Sequence, residues 1–174
     1  MAQVRPASLV WLVGLPGAGK SAVGQELARR CRVGFLDLDA AVEEGYGGSI
    51  ARIFAEIGEE GFRDLESKAL TAAAAATDGV VAAGGGAVLR GTNVATMRAA
   101  GSVVWLRAGV DELARRIGDD AGRPLLAGGS LAERLGELAA AREESYRAAA
   151  SVVVETGGRT IEDIVDEVAR CIGS

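Results

Sequence analysis

The sequence predicts an α/β fold, a parallel sheet covered by helices on both faces. Short apolar runs of strand length alternate with longer amphipathic segments along the whole chain, the pattern that βαβ units produce. The first apolar run passes straight into a glycine-rich turn and then a helical segment. At 174 residues the chain suits one domain able to bury its own core. Hydrophobic residues make up 49% but aromatics only 4%, so Ala and Val dominate, which suits close packing of helix on sheet.

Taken in order, residues 8–13 form a buried strand, followed by the glycine-rich turn and a helix over 20–31. A short strand at 33–36 ends near Asp37 and Asp39. Two helices follow, 49–58 and 59–77, the first with Ser49 as a plausible N-cap ahead of Arg52, Ile53 and Phe54. A third strand at 79–83 opens onto Gly84, Gly85 and Gly86. A helix at 92–100, a strand at 102–106 and a helix at 110–117 come next. The stretch 118–129 is polar, rich in Gly and reads as a loop. A helix from 130 to about 147, a strand at 151–155 and a helix at 160–171 complete the chain. No repeat, linker or low-complexity tail divides it, so 1–174 is expected to be one unit.

Composition removes several classes. The net charge of −5 opposes binding to nucleic-acid phosphates. With no His, imidazole acid–base chemistry and His-ligated metals are excluded. There are 17 Arg but only two Lys, Lys20 and Lys68, so anion contacts must come mainly from Arg. Cys31 and Cys171 match no metal-ligand spacing and read as buried or half-buried free thiols. The N-terminal apolar run is too short to span a membrane and reads as a strand rather than a signal peptide. A cytoplasmic location is expected.

Gly14-Leu15-Pro16-Gly17-Ala18-Gly19-Lys20-Ser21 satisfies G-x-x-x-x-G-K-[ST] at every fixed position. Its glycines let the backbone wrap a phosphate with N–H groups inward, and the helix that follows adds partial positive charge. Lys20 is expected to reach the β- and γ-phosphates, and Ser21 to offer its hydroxyl to Mg²⁺. A GTPase would need N-K-x-D, but the single Asn, Asn93, precedes Val94. A motor-type ATPase would usually end a strand in Asp-Glu, whereas the third strand ends in Gly84-Gly85-Gly86. A kinase for a metabolite or nucleotide fits better.

Asp37 and Asp39 stand at the carboxyl end of the second strand, the end that faces the ligand crevice of an open α/β sheet. With a strand's period of two, both carboxylates point the same way. One is suited to hold Mg²⁺ through water and the other to take a hydroxyl proton; either alone also suits a helix N-cap. Three successive glycines at 84–86 permit close backbone approach to a ligand, or a plain tight turn. Arg63 has Glu66 at i+3, so a surface ion pair and an anion contact are both open. Arg142 is equally readable as a solvated helix residue. Arg116 and Arg123 bracket the glycine-rich loop. There a cationic lid would exclude water and stabilise transferred charge, or the arginines would complement a helix dipole. For Arg123, followed by Pro124-Leu125-Leu126, the lid role is favoured.

Together GLPGAGKS, FLDLD, IFAEIGEEGFRDLE, GGGAV, RPLLAG and REESYR, in that order over 14–147, resemble the shikimate kinase family. The resemblance implies a three-layer P-loop NTPase fold like the nucleoside monophosphate kinases, with a five-stranded parallel sheet in order 2-3-1-4-5. It also implies a substrate-binding region at about 38–66 and a lid at about 116–129. The implied reaction is ATP-dependent, Mg²⁺-requiring phosphorylation of shikimate at its 3-hydroxyl, on the route to chorismate and aromatic amino acids. Gly17, Ala18, Gly19, Lys20, Ser21 and Ala22 would hold the nucleotide. Ser21 would also bind the metal, with Asp37 in its outer shell. Asp39 would be the base, and Lys20 and Arg123 would act on the phosphates. Arg63 and Arg142 would grip the substrate carboxylate, with Glu66 orienting Arg63, and Gly84 to Gly86 would meet the ring hydroxyls. Arg116 would lie near adenine. Ala22 stands where the family often has Thr or Ser. The segment after Glu155 matches weakly, and Arg159 within it would contact adenine. A monomer without membrane or nucleic-acid partners is expected. A kinase for another hydroxy acid such as gluconate, or a non-catalytic nucleotide-binding regulator, are the alternatives.

Overall fold

A computed structural model describes residues 8–76, 78–118 and 130–173. Most of the expected lid, including Arg123, lies outside the described residues.

The five strands are all parallel and ordered β2-β3-β1-β4-β5, as the resemblance implied. The central strand β1, Leu9–Val13, is buried at every position. That follows from a parallel sheet with both faces covered, where an unbroken apolar run replaces alternation. It pairs with β3, Gly79–Ala82, on one side and with β4, Gly101–Arg107, on the other. The edges are β2, Phe35–Asp37, and β5, Val152–Glu155.

Helix α1, Lys20–Cys31, turns Val23, Gly24, Leu27, Ala28 and Cys31 inward and lies over β3 beside α7, Ile161–Ile172. Gly24 is required there. A Cβ would stand 2.5 Å from the Phe35 ring and 3.2 Å from Leu12. Three further helices are α4, Gly91–Ala100, α5, Val110–Ile117, and α6, Leu131–Ala149, with α5 packed on α6. Helices α6 and α7 begin with capping boxes, Ser130 with Glu133 and Thr160 with Asp163, which satisfy the first free amides.

Helix α2, Leu38–Tyr46, was not foreseen, and it corrects the strand argument for the two aspartates. Asp37 ends β2 and caps α2, its Oδ1 accepting from the Asp39 amide at 3.0 Å and the Ala40 amide at 3.4 Å. Asp39 therefore sits in the first helical turn, and the period of two does not govern it. The capping alternative holds for Asp37. Helix α3, Ile50–Ala73, starts at the Ser49 cap and breaks at Gly58, whose φ of 72° and ψ of −178° leave the helix; only glycine takes that conformation cheaply. Val42, Ile53 and Phe62 form a small cluster there, apart from the main core.

Cys31 is buried, but Cys171 is exposed rather than half-buried, because it falls on the outer face of α7.

Candidate active site

A cleft of about 540 Å³ opens at the carboxyl ends of β1, β2 and β3. Gly17, Gly19, Lys20, Ser21, Ala22, Asp37, Asp39, Arg63, Glu66, Gly84, Gly85, Gly86, Arg116 and Arg142 all contribute to its wall. Residues from six separate segments thus meet in one space, and the volume is typical of a small-molecule site. Ala18 is buried in the core, and Arg159 is not among the lining residues. Arg159 instead donates to Glu155 O and Asp163 O, each at 3.0 Å, and to Glu167, beside the start of α7.

The first loop is tied from within. Lys20 Nζ donates to Gly14 O at 2.9 Å and Leu15 O at 3.2 Å. Gly17 (φ 82°) and Gly19 (φ 92°) take backbone conformations that L side chains rarely adopt. One residue on, Ser21 Oγ donates to Asp37 Oδ2 at 2.5 Å. These two hard oxygen donors, beside a phosphate cradle, fit Mg²⁺, which keeps several waters and needs few protein ligands. Among the described residues, no group of three or more His, Cys, Asp and Glu side chains forms a metal cage.

The opposite wall is built from buried charge. Arg63 and Glu66 lie on the inner face of α3, 5% and 0% exposed. Arg63 Nη1 donates to Glu66 Oε2 at 2.9 Å, and Nη2 to Glu59 Oε1 at 3.3 Å. The ion pair with Glu66 exists but is not at the surface. Burying such a pair is a weak source of stability, so its position at a cleft wall points to recognition. Burial raises the Glu66 pKa above the ordinary range, and the charge of Asp39 adds to this, against Arg63 and Arg142. Its Oε1 is buried without a hydrogen-bond partner. Arg142, from α6, is 5% exposed and not the solvated residue its sequence context allowed.

Gly84, Gly85 and Gly86 explain themselves against these side chains. A Cβ on Gly84 would overlap Glu66 Oε1 and lie 2.9 Å from Asp39 Oδ1. On Gly85 it would stand 3.3 Å from Arg142 Nη1, and on Gly86 it would fall within the Arg63 guanidinium. None of the three has positive φ. They are notches that admit charged groups, two at Gly84 and one each at Gly85 and Gly86, so neither alternative, ligand approach or tight turn, accounts fully for them.

The chain matches the shikimate kinase family model over residues 16–173. It is 46% identical over 165 residues to a shikimate kinase of Frankia casuarinae, covering 95% of this chain and 72% of that one. Its identity to the Geobacter sulfurreducens enzyme is 43%, covering 94% of this chain and 90% of that one. The chain belongs to the shikimate kinase family. Among solved structures, the Acinetobacter baumannii shikimate kinase in complex with shikimate superposes with a TM-score of 0.91 at 33% identity, over 98% of this chain and 94% of that one. A gluconokinase of Sinorhizobium meliloti, at 17% identity and a TM-score of 0.60 over 97% of this chain and 93% of that one, shares the fold. Family membership makes this chain a kinase with ATP as co-substrate.

Cleft residues that sequence reasoning passed over include Phe54 and Phe62, whose rings meet tilted, with centroids 5.0 Å apart and planes at 38°. Their apolar spacing along α3 was the available signal. Thr156 is another. It is buried, and it accepts from Arg116 through Oγ1 at 3.1 Å and through its carbonyl. Arg116 also reaches Gly17 O at 3.5 Å, linking the first loop to the end of β5. No local pattern marks Thr156. Among the described residues, no helix is long and apolar enough to cross a membrane.

Proposed function

We propose that the protein transfers the γ-phosphoryl group of ATP to the 3-hydroxyl of shikimate, giving shikimate 3-phosphate and ADP. The observation that carries this reading is the convergence of Asp39, Arg63 and Arg142 on the cleft that also holds Lys20 and Ser21. In it Gly17, Gly19 and Ala22 present backbone to the nucleotide, with Ala18 holding the loop from behind, and Lys20 leaves its loop carbonyls to reach the β- and γ-phosphates.

Arg63 and Arg142 take the planar carboxylate of shikimate, for which two guanidinium groups give fixed geometry and charge-assisted bonds. Glu66 holds Arg63 in place. Gly84, Gly85 and Gly86 face the ring hydroxyls. With the acid end held, the reacting hydroxyl stands beside Asp39, which accepts its proton as the phosphoryl group arrives. Positioning and charge supply the rate, since phosphoryl transfer needs little covalent help. Mg²⁺, held by Ser21 with Asp37 in its outer shell, would neutralise charge on the phosphates. Arg116 lies toward adenine, and Arg123 closes from the lid over the transferred group. Residues 38–66 form the acceptor region, 116–129 the lid, and 1–174 a single unit. The enzyme works as a cytoplasmic monomer without a nucleic-acid or membrane partner.

ADP release measured with shikimate, with gluconate and with no acceptor tests the reading. Shikimate-dependent turnover that requires Mg²⁺ is expected, and release indifferent to shikimate would refute it. The Asp39→Asn variant should keep ATP affinity and lose on the order of 10²–10⁴ in kcat, the usual range for a general base. Wild-type turnover in that variant would remove Asp39 from the role.

A further inference from the structure

Tyr146 is fully buried on α6, one turn beyond Arg142. Its hydroxyl donates to the carbonyl of Gly85 at 2.5 Å, across 61 residues of sequence. Its ring stacks on Trp105 of β4, with centroids 5.5 Å apart and planes at 19°. Arg142 acts on the same hydroxyl, and its Nη1 lies 3.3 Å from where a Cβ on Gly85 would stand. One side chain thus touches both the glycine loop and the arginine that border the acceptor end of the cleft.

The Gly85–Gly86 peptide is trans, like every described peptide bond, so its C=O and the N–H of Gly86 point in opposite directions. Tyr146 takes the carbonyl from the buried side. The Gly86 N–H is thereby turned away from the core and toward the cleft that Gly86 lines. It takes no part in the hydrogen bonds of the described residues. Without an anchored carbonyl, a peptide between two glycines is among the easiest to rotate.

We infer that Tyr146 is a positioning residue for the acceptor. It locks the Gly85–Gly86 peptide so that the Gly86 amide faces a substrate hydroxyl, and it registers that amide with Arg142. This rests on the reading of the cleft as a shikimate site. Burial holds the Tyr146 pKa up at about 12, so the hydroxyl remains a donor throughout the working range of the enzyme. Trp105 serves as the backstop that prevents the ring from swinging away.

The Tyr146→Phe variant keeps the ring and its stack and removes only the donor. Its KM and dissociation constant for shikimate should rise about five- to thirtyfold, with ATP affinity unchanged. The preference for shikimate over analogues lacking one ring hydroxyl should shrink by a similar factor. Unchanged shikimate affinity would overturn the inference, as would a parallel loss for ATP and shikimate with a fall in Tm, which marks a merely structural role. If the variant does not fold, the wild-type protein decides. Its Gly86 amide resonance should shift with shikimate and not with nucleotide alone, and an unmoved resonance overturns the proposal. A wild-type protein that binds no shikimate would overturn the functional reading itself, an outcome distinct from both.

Discussion

Replacing Gly86 with alanine places one methyl group in the space of the Arg63 guanidinium. The backbone tolerates it, since Gly86 sits at φ −102° and ψ 0°, the bridge region that L residues enter at the third position of a type I turn. Alanine there even restricts the unfolded chain, a gain of about 0.4–1 kcal/mol. The cost falls on Arg63, which is 5% exposed and held by Glu66 and Glu59, and so has little room to withdraw. A guanidinium displaced by an ångström or more loses its alignment with a bound carboxylate. One charged hydrogen bond is worth about 1.5–3 kcal/mol, which converts to a rise of about ten- to a hundredfold in KM for shikimate. Initial-rate assays at varied shikimate and ATP, with a thermal melt, separate the two effects. Shikimate KM should rise while ATP KM stays fixed and Tm moves by less than about 4 °C. Gly91→Ala is the control, because a Cβ there meets nothing within 4 Å. An unchanged shikimate KM in Gly86→Ala would refute the notch argument and the placement of Arg63 against the substrate.

A thiol reagent should modify Cys171 quickly in the native protein and reach Cys31 only on unfolding, since burial both hides the Cys31 thiol and raises its pKa; two fast equivalents would contradict the packing of α1. Gly24→Ala should lower Tm by about 2–12 °C, from about 1–3 kcal/mol of overpacking against Phe35 and Leu12. Glu26 has its pKa lowered to about 2 by hydrogen bonds from Arg29 and then Arg30. A folded pKa below the unfolded one stabilises above the unfolded value, and that share is lost as pH falls from about 4.5 toward 2. Stability curves of wild type and Glu26→Gln should therefore differ at neutral pH and converge across that window, and parallel curves would refute the assignment.

The phosphate loop was legible because its residues are contiguous and its chemistry dictates their spacing. The sheet was legible because buried parallel strands leave unbroken apolar runs such as 9–13, and the break at Gly58 showed in the placing of two helices. Helix α2 was not, because Asp37 serves at once as strand end, helix cap and partner of Ser21, and a strand-like reading of FLDLD hides the turn. The ambiguity of Arg63 and Arg142 was real at the level of pattern. An Arg with Glu at i+3 looks the same on a surface as in a cleft, and only burial separates the two. The three glycines announced that something comes close, but what comes close is the protein's own charged side chains. Tyr146 and Thr156 act across tens of residues and leave no local trace.

The break at Gly58 and the separate cluster of Val42, Ile53 and Phe62 give the segment between β2 and β3 the standing of a cassette. Only its two ends reach the frame's interior, through Leu38 and Leu70, so the amides between them should exchange with deuterium through small openings long before those of β1 do. Mutational drift within such a cassette leaves the nucleotide engine intact, which makes it the natural place to retune the choice of acceptor.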